Sequence, residues 1–113
     1  MKDGFYPRSV AAVLTTTATE IYVAPASFVG EVDSILVTNS TNSNANVTIE
    51  WYNSVNTTWY ALLYIHPLSG YNHFQLENSL FLQSGSKIRA TVSSHAAVTI
   101  TVRVKEYFRQ NNV

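Results

Sequence analysis

The chain has 113 residues, 46% hydrophobic and only 12% charged, with seven basic residues balanced by seven acidic ones. That length suits one domain with a buried core and not two, and a formal net charge of zero gives no field of the kind that holds nucleic-acid backbones. The absence of cysteine excludes a disulfide framework and thiolate metal sites, and no segment approaches the roughly 20 apolar residues of a membrane helix.

The charged fraction is about half the usual ~25%, and Thr, Ser and Asn supply the polarity instead. Thr favours strands, and such residues solvate a β-surface without long charged side chains. The N-terminal stretch MKDGFYPRSVAAV contains no apolar run of signal-peptide length, so synthesis without a Sec signal is expected. The sequons at Asn39, Asn46 and Asn56 read as an Asn/Thr-rich surface rather than as glycan acceptors.

Residues 1–12 contain Gly4 and Pro7 and lack alternation. They read either as an extended arm outside the domain, able to add a strand to a neighbour's sheet edge, or as simple disorder. The domain proper is expected over 13–108. Thr19 to Val23 and Gly30 to Thr38 read as strands bounded by Ala24-Pro25 and by the polar loop from Asn39 to Asn46. Val47, Ile49 and Trp51 alternate with Thr48, Glu50 and Tyr52, the turn-prone 53–56 follows, and Trp59, Ala61, Leu63 and Ile65 complete a hairpin. His66-Pro67 is expected to end that second strand, since proline has no N–H for a ladder.

His73 to Leu76, a short Leu80-Phe81-Leu82 and Lys87 to Val92 follow, broken by Ser84-Gly85 and Ser93-Ser94. The clearest alternation comes last: Val98, Ile100, Val102 and Val104 fall on one face, Thr99, Thr101, Arg103 and Lys105 on the other. A helix would smear those valines around its cylinder. Residues 109–113 read as a short tail. About eight short strands at a spacing of roughly 8 to 12 residues predict an all-β, antiparallel sandwich of jelly-roll type.

Chemistry-bearing patterns are sparse. His66, His73 and His95 form no H-x-H or H-x-x-x-H pair, so no metal site is expected, nor any other cofactor. No G-x-S-x-G elbow occurs, and the carboxylates are scattered, with only Glu31 and Asp33 on a common strand face turned to solvent. The reading is therefore non-enzymatic. Alternation puts Trp51 and Trp59 in the core beside Ile49 and Leu63, near enough to pair across the hairpin. It leaves Tyr52, Tyr60 and Tyr64 on the opposite face, as a protein interface or a glycan-stacking platform.

Three stretches, Thr19-Glu20-Ile21-Tyr22-Val23-Ala24-Pro25, Val32-Asp33-Ser34-Ile35-Leu36-Val37-Thr38-Asn39 and Leu82-Gln83-Ser84-Gly85-Ser86-Lys87-Ile88-Arg89-Ala90, carry a resemblance. From about Thr16 to Phe108 the chain resembles small β-sandwich virion proteins of tailed bacteriophages. In these a Y-x-x-P segment leads into a strand ending in x-N-x-S/T, and an L-x-x-G-D-x-I turn precedes the last hairpin. Ser86 stands here where that pattern has Asp. The resemblance implies a virion component made in the host cytoplasm: a capsid decoration protein, head fibre or knob, or a tail or neck accessory.

The implied partners are other virion proteins, the major capsid protein or tail components, with a closed homo-oligomer such as a trimer expected and no nucleic acid or membrane. Candidate contact residues are Phe5, Tyr6 and Pro7 on the arm and Tyr52, Tyr60 and Tyr64 on the sheet. A carbohydrate-binding module using the tyrosine face on a host glycan is the competing reading.

Overall fold

The computed structural model describes residues 4–77, 80–94 and 97–108. The strands are β1 (Tyr6–Val13), β2 (Thr19–Val23), β3 (Phe28–Asn39), β4 (Ala45–Asn53), β5 (Thr58–Leu68), β6 (His73–Leu76), β7 (Leu80–Leu82), β8 (Lys87–Val92) and β9 (Val98–Phe108). They form two antiparallel sheets packed as a sandwich. One runs β1-β9-β3-β6, with β7 also on β3, and the other runs β2-β8-β4-β5. Pairing is nested: the first strand lies beside the last, β2 beside β8, and β4 beside β5. The expected all-β sandwich is the fold.

Alternation on β9 is realised in full, since Val98, Ile100, Val102 and Val104 are at most 2% exposed. They meet Val47, Ile49, Ile88, Ala90 and Val92 from the second sheet in one hydrophobic core. The expected tail 109–113 and His95 lie outside the described residues.

The first difference from expectation is at the N-terminus. Residues 6–13 pair with β9 in unbroken register from Tyr6↔Glu106 to Val13↔Thr99, so this stretch is a sandwich strand and not an arm outside it. Its inward positions are Tyr6, Arg8, Val10 and Ala12, and the arginine among them hides the period-two signal. The second is at Pro67, which continues β5 opposite Asn46 rather than ending it. Because β5 is an edge strand, one side of it has no ladder for proline to break.

Loop geometry explains two of the motif positions. Asn39 is 1% exposed; its Nδ2 donates to the Ser43 carbonyl at 2.7 Å, and its Oδ1 accepts from the Thr41 N–H and hydroxyl. That burial removes Asn39 from consideration as a glycan acceptor. Ser86, standing in for Asp, is also 1% exposed. Its hydroxyl accepts from the Ser54 N–H at 3.1 Å and lies 3.0 Å from the Ser54 hydroxyl, fastening the Gly85 turn (φ +86°) to the β4–β5 hairpin.

At the opposite end the loops after β3 and β5 touch, and a Cβ on Gly70 would sit 2.6 to 2.8 Å from the Asn42 backbone. Backbone cannot swing aside as a side chain can, so Gly70→Ala is expected to cost about 1 to 3 kcal/mol. A lowered urea midpoint with an unchanged m-value would show it.

Candidate interaction site

The first sheet outruns the second at one end. On its inner face β9 continues past Val104 to Glu106 and Phe108, and Phe108 pairs with Phe28. Glu106 is the last inner position still covered, at 5% exposure, whereas Phe108 and Tyr6 are each 60% exposed. Tyr6, Phe28 and Phe108 form an edge-to-face series with centroids 6.0 and 5.6 Å apart. On the other face of the same sheet end Phe5 packs on Tyr107 at 5.7 Å, with the Lys105 ammonium 5.1 Å from the Phe5 centroid. A shallow cleft of about 340 Å³ adjoins them, lined by Phe5, Pro7, Ser9, Asp33, Arg103 and Lys105 among others.

Beneath this shelf a polar clasp ties three strands from both sheets. The Tyr22 hydroxyl of β2 donates to Glu106 Oε2 of β9 at 2.6 Å, and Arg8 of β1 donates to the same oxygen at 3.0 Å. Arg8 is half in water and Glu106 almost wholly out of it, so the ion pair is screened on one side. Burial, then the hydrogen bond and charge of Glu106, push the Tyr22 phenol well above its ordinary value, with Arg8 opposing weakly. Gly30 makes room for the clasp, since a Cβ there would lie 2.8 Å from the Tyr22 hydroxyl.

Of the six residues predicted for contact, Phe5, Tyr6 and Pro7 converge on this end, but the three tyrosines do not form one face. Tyr60 is register partner to Trp51 and stacks on it at 5.4 Å on the core side, while Tyr52 pairs with Trp59 at 5.1 Å on the outer side. The expected Trp51–Trp59 pair is therefore replaced by two mixed pairs, and Trp59 faces outward. Tyr64, 71% exposed, lies beyond a register shift between Ile49 and Glu50. The Arg89 guanidinium covers the Trp59 ring at 3.7 Å and is held there by Glu50 at 2.7 Å. A flat sugar would have to displace it, so the geometry does not favour the glycan platform.

Glu31 and Asp33 are engaged as well, by the Tyr107 hydroxyl at 3.0 Å and the Lys105 ammonium at 3.6 Å. His66 packs edge-on against Phe74 at 5.0 Å. Among the described residues no group of three or more His, Asp or Glu could hold a metal.

Sequence reasoning missed Arg8, Tyr22, Phe28, Glu106 and Phe108. One signal was available: Glu106 occupies the parity of Val102 and Val104, and an inward carboxylate requires donors.

No family model and no curated protein matches the sequence. Two solved structures share the fold. One, of Bacillus endospore appendages described as a novel family of disulfide-linked pili, is 14% identical with a TM-score of 0.57, covering 97% of this chain and 93% of that one. The other, the acidic stable capsid structure of Helicobacter pylori bacteriophage KHP30, is 13% identical with a TM-score of 0.58, covering 97% and 92%. At such identities the likeness speaks to fold alone.

The clasp has a pH signature. The unfolded chain ionises a tyrosine near 10, whereas the folded chain holds the Tyr22 proton to higher pH. Its stabilisation is therefore complete below pH 10 and declines above it. Tyr22→Phe should lose about 1.5 to 3 kcal/mol at pH 7, and the gap to the parent should narrow above pH 10 in denaturant titrations. An equal gap at both pH values would remove the clasp from the account.

Proposed function

We propose that this chain is a non-enzymatic structural protein of a bacteriophage virion, a capsid decoration or reinforcing protein that seats on the shell through its aromatic end. The observation that carries the reading is the aromatic end of the first sheet, where Tyr6 and Phe108 lie uncovered beside half-buried Phe28 on one face and Phe5 and Pro7 lie exposed on the other, on a molecule with no net charge. Contiguous exposed aromatic surface is expensive in water and is characteristic of contact surfaces.

The sequence resemblance and the phage capsid likeness support a virion setting, and the pilus likeness supports repeated assembly. Partners are then other virion proteins, the major capsid protein first among them. The absence of cysteine means that any such assembly is held by packing and hydrogen bonds rather than by disulfides.

Density-banded particles of the encoding phage are expected to contain the chain in stoichiometric amount, and particles assembled without it should take up the purified protein. Tyr6→Ala combined with Phe108→Ala removes two exposed anchors. It should lower occupancy at least about tenfold while leaving the thermal midpoint within a few degrees. Banded particles free of the chain would overturn the virion reading, and unchanged uptake by the double variant would overturn the aromatic end as the contact.

A further inference from the structure

Every open sheet in solution must manage its edge strands, whose unpaired N–H and C=O groups template pairing with other chains. Three of the edges here carry a defence. β2 is five residues long with a register slip between Glu20 and Tyr22. β5 has two slips, a β-branched Ile65 at φ +49° and Pro67. The edge formed by β6 and β7 is divided into pieces of four and three residues. β1 is different: eight residues in continuous register, without a slip, and its one proline, Pro7, sits near the strand's start and leaves Ser9 to Val13 open.

The groups on its open side can be identified. The Leu14 N–H donates to the Val98 carbonyl at 2.8 Å, and in an antiparallel ladder alternate residues point the same way. Ala12, Val10, Arg8 and Tyr6 therefore bond β9, while Pro7, Ser9, Ala11 and Val13 turn their backbone groups outward. Pro7 fits this assignment, because its missing N–H falls on the open side, where edge prolines are tolerated.

We propose that this open edge is a self-association surface on which a second copy docks its own β1, antiparallel about a two-fold axis, joining the two copies' β1-containing sheets into one. The proposal concerns self-pairing and does not depend on the virion reading. The occupant follows from the register. With Ala11 opposite Ala11 of the second copy, Ser9 faces Val13 of that copy and the reverse, so every outward N–H finds a carbonyl and the pairing closes on itself. The side chains brought together are small or uncharged. The only charge on β1, Arg8, is turned inward onto Glu106, so no like charges meet across the axis and zero net charge adds no repulsion.

Light scattering coupled to size exclusion should show a dimer that dissociates on dilution. Ala11→Lys, at an exposed position, sets two lysines against each other on the axis. It should weaken the dimer at least about tenfold with the circular dichroism spectrum unchanged. Because the chain has no cysteine, Ala11→Cys should oxidise to a covalent dimer far faster than Val55→Cys, a control on the exposed turn of the β4–β5 hairpin; this readout stands even if the lysine variant fails to fold.

A monomer at concentrations up to about 1 mM, a trimer, a dimer indifferent to Ala11→Lys, or equal oxidation of the two cysteine variants would each overturn the proposal. Any of these results would leave the occupancy experiment on particles unaffected.

Discussion

The sandwich rests on the burial of the inward row of β9. Val98, Ile100, Val102 and Val104 are sealed between β1, β3 and the facing sheet. At about 1.5 to 3 kcal/mol per fully buried aliphatic side chain, this row outweighs any single polar contact in the molecule. The rest is arranged around it: β1 and β3 bond its two edges, and β4 and β8 supply the opposing surface. The Tyr22–Glu106–Arg8 clasp sits where the row ends, so burial gives way to hydrogen bonding at the point where one sheet begins to overhang the other.

What could be read from the sequence follows from the same logic. Period two is visible where one face is buried and the other wet, as in β4, β8 and β9. Which face of β9 turns inward is therefore set by its own residues. β1 escapes this reading because it is an edge with only Val10 and Ala12 as inward aliphatics, and because Arg8 occupies an inward position whose partner lies 98 residues away. A linear pattern holds no record of such a partner.

The hairpin faces were misassigned for another reason. Alternation counted separately along β4 and β5 does not reveal their relative register, and the register shifts move the tyrosines and tryptophans between faces. Trp51 stays inward, Trp59 goes outward under Arg89, and three tyrosines that look like a row are distributed over both sides. Phe5 and Tyr6 near the N-terminus were legible as exposed aromatics. Their neighbours Phe28 and Phe108 were not, because an overhang depends on the relative lengths of two sheets. Asn39 and Ser86, conspicuous in the sequence, are internal fasteners of loops.

Nested pairing also orders the molecule in time. Bringing Asn53 to Thr58 closes a loop of a few residues, whereas bringing Arg8 to Val104 encloses most of the chain. Loop-closure entropy growing as (3/2)RT ln n separates the two by roughly 3 kcal/mol. The β4–β5 hairpin is thus an inexpensive nucleus, and β1 is the strand whose docking must wait for the others. Until it arrives, the flank of β9 stays open. Synthesis delivers β1 before the other eight strands and the fold uses it after them, a delay inherent in this winding however fast the remaining strands assemble.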